Sequence, residues 1–536
     1  MPKPYYITTP IYYVNDRPHI GHVYTTTVAD IVARYRRLTG QDTFFLTGTD
    51  EHAAKVIDAA AERGLSTQEW ADRNAGEFES TFQRLGMTNN DFIRTSQDRH
   101  KAKVLEYVEQ LMQSGDVYEG EYEGWYDAGQ EEYVPENRAK DLGYKSPING
   151  KDLVRKREKN WFFRLSAYRD PLLKLLADQE DIDDQWFDVQ PAVRRNEIIA
   201  RIREAEDIPI SRTGQQDWGI PIPGDAEQTI YVWIDALFNY LTTVDTPDRR
   251  PFWESGPTHL IAKDILWFHA AIWPAMLLAL RKRPGYEWVS LPRMVYAHSF
   301  WIAEGKKMSK SLGNFVDLEK IDDYIERFSL DALRYFLANN GPLGATDSDF
   351  AESRFIEVYN ADLANTLGNC LNRVANMTNR YFDGKLPQRG PHVDDSSNYL
   401  HTADESVKRY RDAMDAIDLA AACRAAMDLV RAVNLFIDQT EPFKLAKDPS
   451  RLPDVGTILF DCAEAMRIAA VMLWPIIPAK AEEAWRRLGC GHYAASLAGG
   501  GLGDLDAWAT WGLIKPGAEV SQGDPLFPRY QVKKAD

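Results

Sequence analysis

The stretch from residue 4 to residue 47 constrains the fold more than any other part of the chain. Residues 4–9 (PYYITT) are rich in β-formers and read as a short strand. A turn follows through Asn15, Asp16 and Pro18. Tyr24, Val28, Ile31, Tyr35 and Leu38 then recur at spacings of four and three. That is one face of a helix starting near Gly21 and ending at Gly40. Residues 42–47 (DTFFLT) read as the next strand. Strand, helix, strand is a βαβ unit, which predicts a parallel sheet with a right-handed crossover. Ligands of such sheets bind at the C-terminal ends of the strands.

From about 118 to 227 the pattern is irregular and rich in charge, Gly and aromatics, an insertion within this fold. The α/β pattern resumes with a strand at 257–262, a buried helix at 264–280 and a strand at 293–297. Pro274 should kink that helix, because it has no N–H and its ring crowds the Ala270 carbonyl. Beyond about 350 long helices take over. Leu363, Leu367, Leu371, Val374, Met377 and Tyr381 form one apolar stripe, and 403–440 and 454–488 are similar, which predicts a helical bundle. The chain carries 63 Lys and Arg against 80 Asp and Glu, a net charge of −17. That balance excludes a general nucleic-acid coat protein, and no DNA partner is expected. No apolar run reaches the ~18 residues of a membrane span, and no signal peptide is evident, so the expected location is cytoplasmic. Cys370, Cys423, Cys462 and Cys490 form no C-x-x-C pair and read as buried free thiols.

Two sites carry chemistry. Pro18-His19-Ile20-Gly21-His22 lies between the first strand and the first helix. A helix N-terminus offers unpaired N–H groups to phosphate, and two imidazoles three residues apart can face that end. Gly21 lets a nucleotide approach the backbone. Such a site stabilises charge developing on an α-phosphate. The second site is Gly305-Lys306-Lys307-Met308-Ser309-Lys310-Ser311, which packs three lysines into five residues. By charge alone it is a solvated basic turn; as a flexible loop it can fold over a triphosphate and hold the pyrophosphate.

The pair HIGH (residues 19–22) and KMSKS (307–311), in this order, resembles the class I aminoacyl-tRNA synthetases. Thr9-Pro10-Ile11-Tyr12-Tyr13-Val14-Asn15, Gly48-Thr49-Asp50-Glu51-His52, Ser211-Arg212-Thr213, Trp218-Gly219-Ile220-Pro221, Tyr231-Val232-Trp233-Ile234-Asp235-Ala236 and Ala262-Lys263-Asp264-Ile265 are similar to methionyl-tRNA synthetase. The resemblance implies a Rossmann-like parallel-sheet catalytic domain (1–117 and 228–297) split by a connective insertion (118–227). It also implies a KMSKS and stem-contact region (298–350), an all-α anticodon-binding bundle (351–510) and a tail (511–536). The implied reaction joins L-methionine to ATP, accompanied by Mg²⁺, and passes methionine to tRNA(Met). His19, His22, Lys307 and Lys310 are the implied catalytic residues, with Gly21, Met308, Ser309 and Ser311 also at ATP. Ile11, Tyr13, Trp233, Ala236, Leu237, Tyr240, His269 and Trp273 are implied to form the methionine pocket, with Asp50 on the ammonium. The spacings agree: His269 and Trp273 are four apart on one helix face, as are Trp233, Ala236, Leu237 and Tyr240. An apolar aromatic pocket suits a thioether, and a carboxylate suits an ammonium.

Asn369 and Arg373 match family residues that bind the CAU anticodon. So does Phe443 in Glu441-Pro442-Phe443-Lys444, where the family usually has Trp. Phe can still stack on a base, at ~1–3 kcal/mol. Many relatives carry a zinc knuckle after a Gly-Trp-Tyr stretch. Here Asp127 and Gln130 stand where cysteines could, so no structural zinc is expected. Ala53 follows His52 where relatives often have Gly, which tightens the ATP site. A monomer without an appended domain is expected. Three other readings stay open on the residues: a small-molecule adenylyltransferase sharing the H-x-G-H site, a silent tRNA- or protein-binding relative, and a synthetase for another apolar amino acid.

Overall fold

The computed structural model describes all residues except 1, 130–131, 135, 180–185, 215–216, 304, 309–313, 391–395, 499–500 and 532–536. A six-stranded, wholly parallel sheet lies at the centre of the N-terminal half. In chain order its strands are β1 (Pro4–Tyr13), β2 (Asp42–Asp50), β3 (Asp91–Arg94), β4 (Asp188–Gln190), β5 (Thr258–Ala262) and β6 (Met294–His298). Their spatial order is β3-β2-β1-β5-β6-β4, so the order in which strands are added reverses beside β1, where β1 pairs with β5. β1 runs past the expected residue 9. Pro10 cannot donate to the ladder, and the register against β2 shifts between Thr8 and Ile11, a bulge that lets the strand continue to Tyr13. β2 must lie very close to β3: a Cβ on Gly48 would sit 2.0 Å from the Ile93 carbonyl oxygen.

Helix α1 (Ile20–Leu38) crosses between β1 and β2, its apolar face buried. The insertion is built on an antiparallel pair, Val117–Asp127 against Val154–Phe163, with smaller strands beside it. Two further helices flank the sheet, α2 (Val232–Thr242) and α3 (Trp273–Arg281). The helix expected over 264–280 is interrupted. Residues Phe268–Ile272 form a π-turn, with the Trp273 N–H bonded back to the Phe268 carbonyl, and α3 starts after it. Pro274, which has no N–H to give, stands in the first turn of α3 directly after this wide turn.

The C-terminal half is helical. A π-helical segment Tyr359–Gly368 leads into α4 (Asn369–Phe382). The helix expected over 403–440 is two, Ser396–Asp415 and α5 (Leu419–Thr440), separated by a turn in which Ile417 has φ 57°. α6 (Leu452–Leu473) follows. Leu363, Leu367, Leu371 and Val374 are buried, and all four cysteines are buried free thiols. One continuous apolar core joins α1 to the bundle. The segment after 511 packs back onto the bundle: Ile514, Val520, Leu526 and Phe527 are buried, and Glu464 accepts three backbone N–H bonds from Gly512, Leu513 and Ile514. Among the described residues no helix is long and apolar enough to cross a membrane.

Candidate active site

A cavity of about 550 Å³ opens at the C-terminal ends of β1, β2, β5 and β6, where the strand order reverses. This is where a doubly wound sheet binds ligands, and the volume suits a small molecule. Ile11, Tyr13, His19, Gly21, His22, Asp50, Trp233, Ala236, Leu237, Tyr240 and His269 all line it. Trp273 does not. It is fully buried behind the wall, its indole N–H 3.2 Å from His259 Nε2 and its ring 6.1 Å from Tyr240. His269 and Trp273 still share a face as the four-residue spacing predicts, since both pack against Tyr240 and His259; Trp273 lies deeper, one layer behind the cavity wall.

The two motif histidines cap α1. The Gly21 N–H donates to His19 Nδ1 at 3.0 Å, and the His19 N–H donates to His22 Nδ1 at 3.2 Å. With both Nδ1 atoms accepting, each neutral ring carries its proton on Nε2 and presents a donor edge, the form suited to phosphate oxygens. The rings lie 3.8 Å apart. A Cβ on Gly21 would stand 2.9 Å from the His19 ring, so glycine is needed for this ring to fold over the helix start. Burial, and then the neighbouring His19, holds the His22 pKa well below its usual value.

Both flanks of the lysine loop meet this end of α1. Trp301–Ala303 pairs antiparallel with Lys306–Lys307. Beyond the loop, the Val316 carbonyl accepts the Ile20 N–H at 3.1 Å, and Phe315 packs edge-on against His19. Met308 is half-buried against the apolar core. Ser309, Lys310 and Ser311 lie outside the described residues.

The opposite end of the cavity is aromatic. Trp233 stacks on Phe268 at 4.0 Å and meets Tyr13 edge-on. His269 donates from Nδ1 to the Ile265 carbonyl, so its Nε2 accepts the Tyr240 hydroxyl at 2.7 Å. Burial brings the His269 pKa down to about 4, which keeps the ring neutral. Asp50, at the end of β2, is buried in the cavity wall.

A buried network not singled out in the sequence holds that wall. Asp235 on α2 accepts from His52 Nδ1 at 2.7 Å and His100 Nε2 at 2.8 Å. Burial pushes its carboxyl up, but His52 and His100 outweigh that and bring it to about 2. His298, Ser299 and Asp264 also line the cavity. A polar residue at the C-terminal end of a parallel strand was the available signal for His298. Outside the cavity, Asn369 is exposed in the first turn of α4 and Phe443 is 42% exposed. Arg373 reaches across to Asn434 and Asp438 on α5, in the last turns before Phe443. In the insertion, Asp127 Oδ1 accepts from the Gly129 N–H, and Gln130 lies outside the described residues. Among the described residues no three His, Cys, Asp or Glu side chains cluster as metal ligands.

A doubly wound sheet with a paired-histidine helix start facing a lysine loop defines a class I tRNA synthetase. The family model described as tRNA synthetases class I (M) matches residues 5–142 and 139–375. A methionine–tRNA ligase of Caldanaerobacter subterraneus subsp. tengcongensis is 39% identical over 542 residues, spanning 100% of this chain and 80% of the relative. That of Bacillus subtilis is 37% identical over 546 residues, 99% and 78% of the two chains. The solved structure of Mycobacterium tuberculosis methionyl-tRNA synthetase with methionyl-adenylate superposes with a TM-score of 0.87 at 34% identity, covering 98% of this chain and 100% of that one. The chain belongs to the methionine–tRNA ligase family.

Proposed function

We propose that this chain activates L-methionine with ATP to methionyl-adenylate and pyrophosphate, then transfers methionine to the 3′-terminal adenosine of tRNA(Met). The observation that carries the reading is the meeting, in one cavity, of the His19–His22 donor edges and both flanks of the lysine loop. The methionine carboxylate attacks the α-phosphorus, the bond to the bridging oxygen breaks, and pyrophosphate leaves. His19 and His22 donate to the phosphate oxygens as charge builds there. Lys307 and Lys310, with Met308, Ser309 and Ser311 forming the loop around them, hold the leaving pyrophosphate. Mg²⁺ enters with the triphosphate as part of the substrate. The tRNA hydroxyl then attacks the acyl carbon and AMP leaves. No covalent enzyme intermediate is required, and positioning with electrostatics supplies the acceleration.

Ile11, Tyr13, Trp233, Ala236, Leu237, Tyr240 and His269 enclose the thioether, and Asp50 pairs with the ammonium. Trp273 backs this wall from behind Tyr240. Asn369, Arg373 and Phe443 read the anticodon. The enzyme works in the cytoplasm as a monomer. ATP–pyrophosphate exchange tests the first step: methionine supports it, and leucine and valine do not. Exchange with either of those in place of methionine overturns the substrate assignment. Arg373→Ala should raise KM for tRNA severalfold with exchange intact; an unchanged KM removes that residue from the anticodon site.

A further inference from the structure

His298 ends β6 in the cavity wall and is buried. Its Nδ1 lies 2.7 Å from the Ser299 carbonyl oxygen and its Nε2 2.8 Å from Thr25 Oγ1. A carbonyl only accepts, so Nδ1 carries the ring proton. Burial holds the pKa near 4, which keeps the ring neutral. Nε2 is therefore an acceptor, and the Thr25 hydroxyl donates to it. The Gly21 carbonyl is the other acceptor within reach of that hydroxyl, at 3.1 Å. The ring cannot easily turn. Tyr24 packs edge-on against it at 5.1 Å, and Ser299 is fixed by its N–H on the Pro342 carbonyl and its hydroxyl on the Gly344 carbonyl.

With both nitrogens engaged, His298 has no ring position left for proton transfer. What it does is tie two pieces of chain together. Thr25 lies one turn along α1 from His22. Ser299 leads directly into Trp301–Ala303, the strand at the base of the lysine loop. We infer that the Thr25–His298 hydrogen bond sets the separation between the histidine end of α1 and the base of the lysine loop, making both residues positioning residues for the nucleotide during activation. The inference rests on the adenylate-forming reading above. Neither residue needs to touch methionine, so their loss should separate nucleotide chemistry from amino-acid binding.

Thr25→Val keeps the shape and removes the hydroxyl; Thr25→Ser keeps the hydroxyl and removes the methyl. Expected for Thr25→Val is a loss of about 10-fold or more in exchange kcat, as displacement of a reacting group predicts. The methionine Kd, read from tryptophan fluorescence, should stay within about twofold, and Thr25→Ser should recover most of the rate. His298→Asn retains a donor for the Ser299 carbonyl and loses the acceptor for Thr25, so it should show the same split; it serves if Thr25→Val does not fold. Wild-type kinetics in Thr25→Val, equal defects in Val and Ser, or a methionine Kd that weakens in step with kcat would overturn the inference alone. Wild-type protein without methionine-dependent exchange would instead overturn the functional reading, and this inference with it.

Discussion

His22 gives one ring nitrogen to the backbone and keeps the other for the cavity, so its structural and chemical contributions can be measured separately. His22→Ala removes an accepted N–H bond at the helix start, worth about 1 kcal/mol of stability. It also removes one donor at the reacting phosphate, worth about 10²–10³ in rate. Exchange kinetics and urea unfolding on the same variant check both numbers; a variant with full turnover would contradict the assigned role. The buried neutral histidines make a second prediction. His269 and His298 have folded pKa values near 4, against 6.5 unfolded, and His22 and His259 are also lowered, chiefly by burial. Between those values the unfolded chain binds more protons, so stability is full above about pH 7 and falls as pH drops through 6.5 toward 4. At pH 5 the loss is roughly 2 kcal/mol for each of His269 and His298. Asp30 and Asp235, with depressed pKa values, add nothing until pH falls below their unfolded value near 4. Urea midpoints at pH 8, 6 and 5 read this directly, and a flat profile would mean the rings are solvated.

Strand and helix periodicity located β1, α1, β2, β5 and β6 to within a few residues, because each is driven by local alternation or an apolar face. Most of the cavity lining was legible only through the resemblance to methionyl-tRNA synthetase; periodicity agreed with it by putting Trp233, Ala236, Leu237 and Tyr240 on one face of α2. What local pattern could not express was depth, which puts Trp273 behind the cavity wall, and the pairing of distant residues. His52, His100 and Asp235 come from three separate segments, and only the assembled sheet brings them within hydrogen-bond reach. The tight seam between β2 and β3 is likewise invisible in sequence. Gly48→Ala would drive a methyl into the Ile93 carbonyl and force the strands apart. Overpacking of this kind costs about 1–3 kcal/mol. Because Asp50 is two residues further along β2, methionine affinity should weaken together with the unfolding midpoint. An alanine variant with unchanged midpoint would show that β3 yields freely.

The whole molecule is joined through α1. Arg334, buried on the helix Leu330–Asn340, pairs with Asp30 on α1 at 2.7 Å and donates to the Pro475 and Ile476 carbonyls of the turn after α6. Asp30 also takes Arg34 and two bonds from Thr88, and these partners hold its carboxyl far below the usual range despite burial. Sheet and bundle are thus fixed to each other by a charged cluster inside a shared apolar core. Arg334→Leu should cost about 3–5 kcal/mol, since it strips a buried pair of one partner and leaves two carbonyls unbonded. Calorimetry should show it, and a midpoint equal to wild type would mean Arg34 alone neutralises Asp30.

The wide turn at Phe268–Ile272 makes chain length itself a determinant of which amino acid fits. Deleting Ala271 would let the segment close into ordinary α-helix with α3 left nearly in phase, because the wide turn holds one residue more than an α-turn. The residues inside the turn would move, so the stack of Trp233 on Phe268 and the Tyr240 hydroxyl bond to His269 would lose their fixed geometry. Every lining side chain would still be present, so a scan that substitutes them one at a time would not detect what the deletion removes.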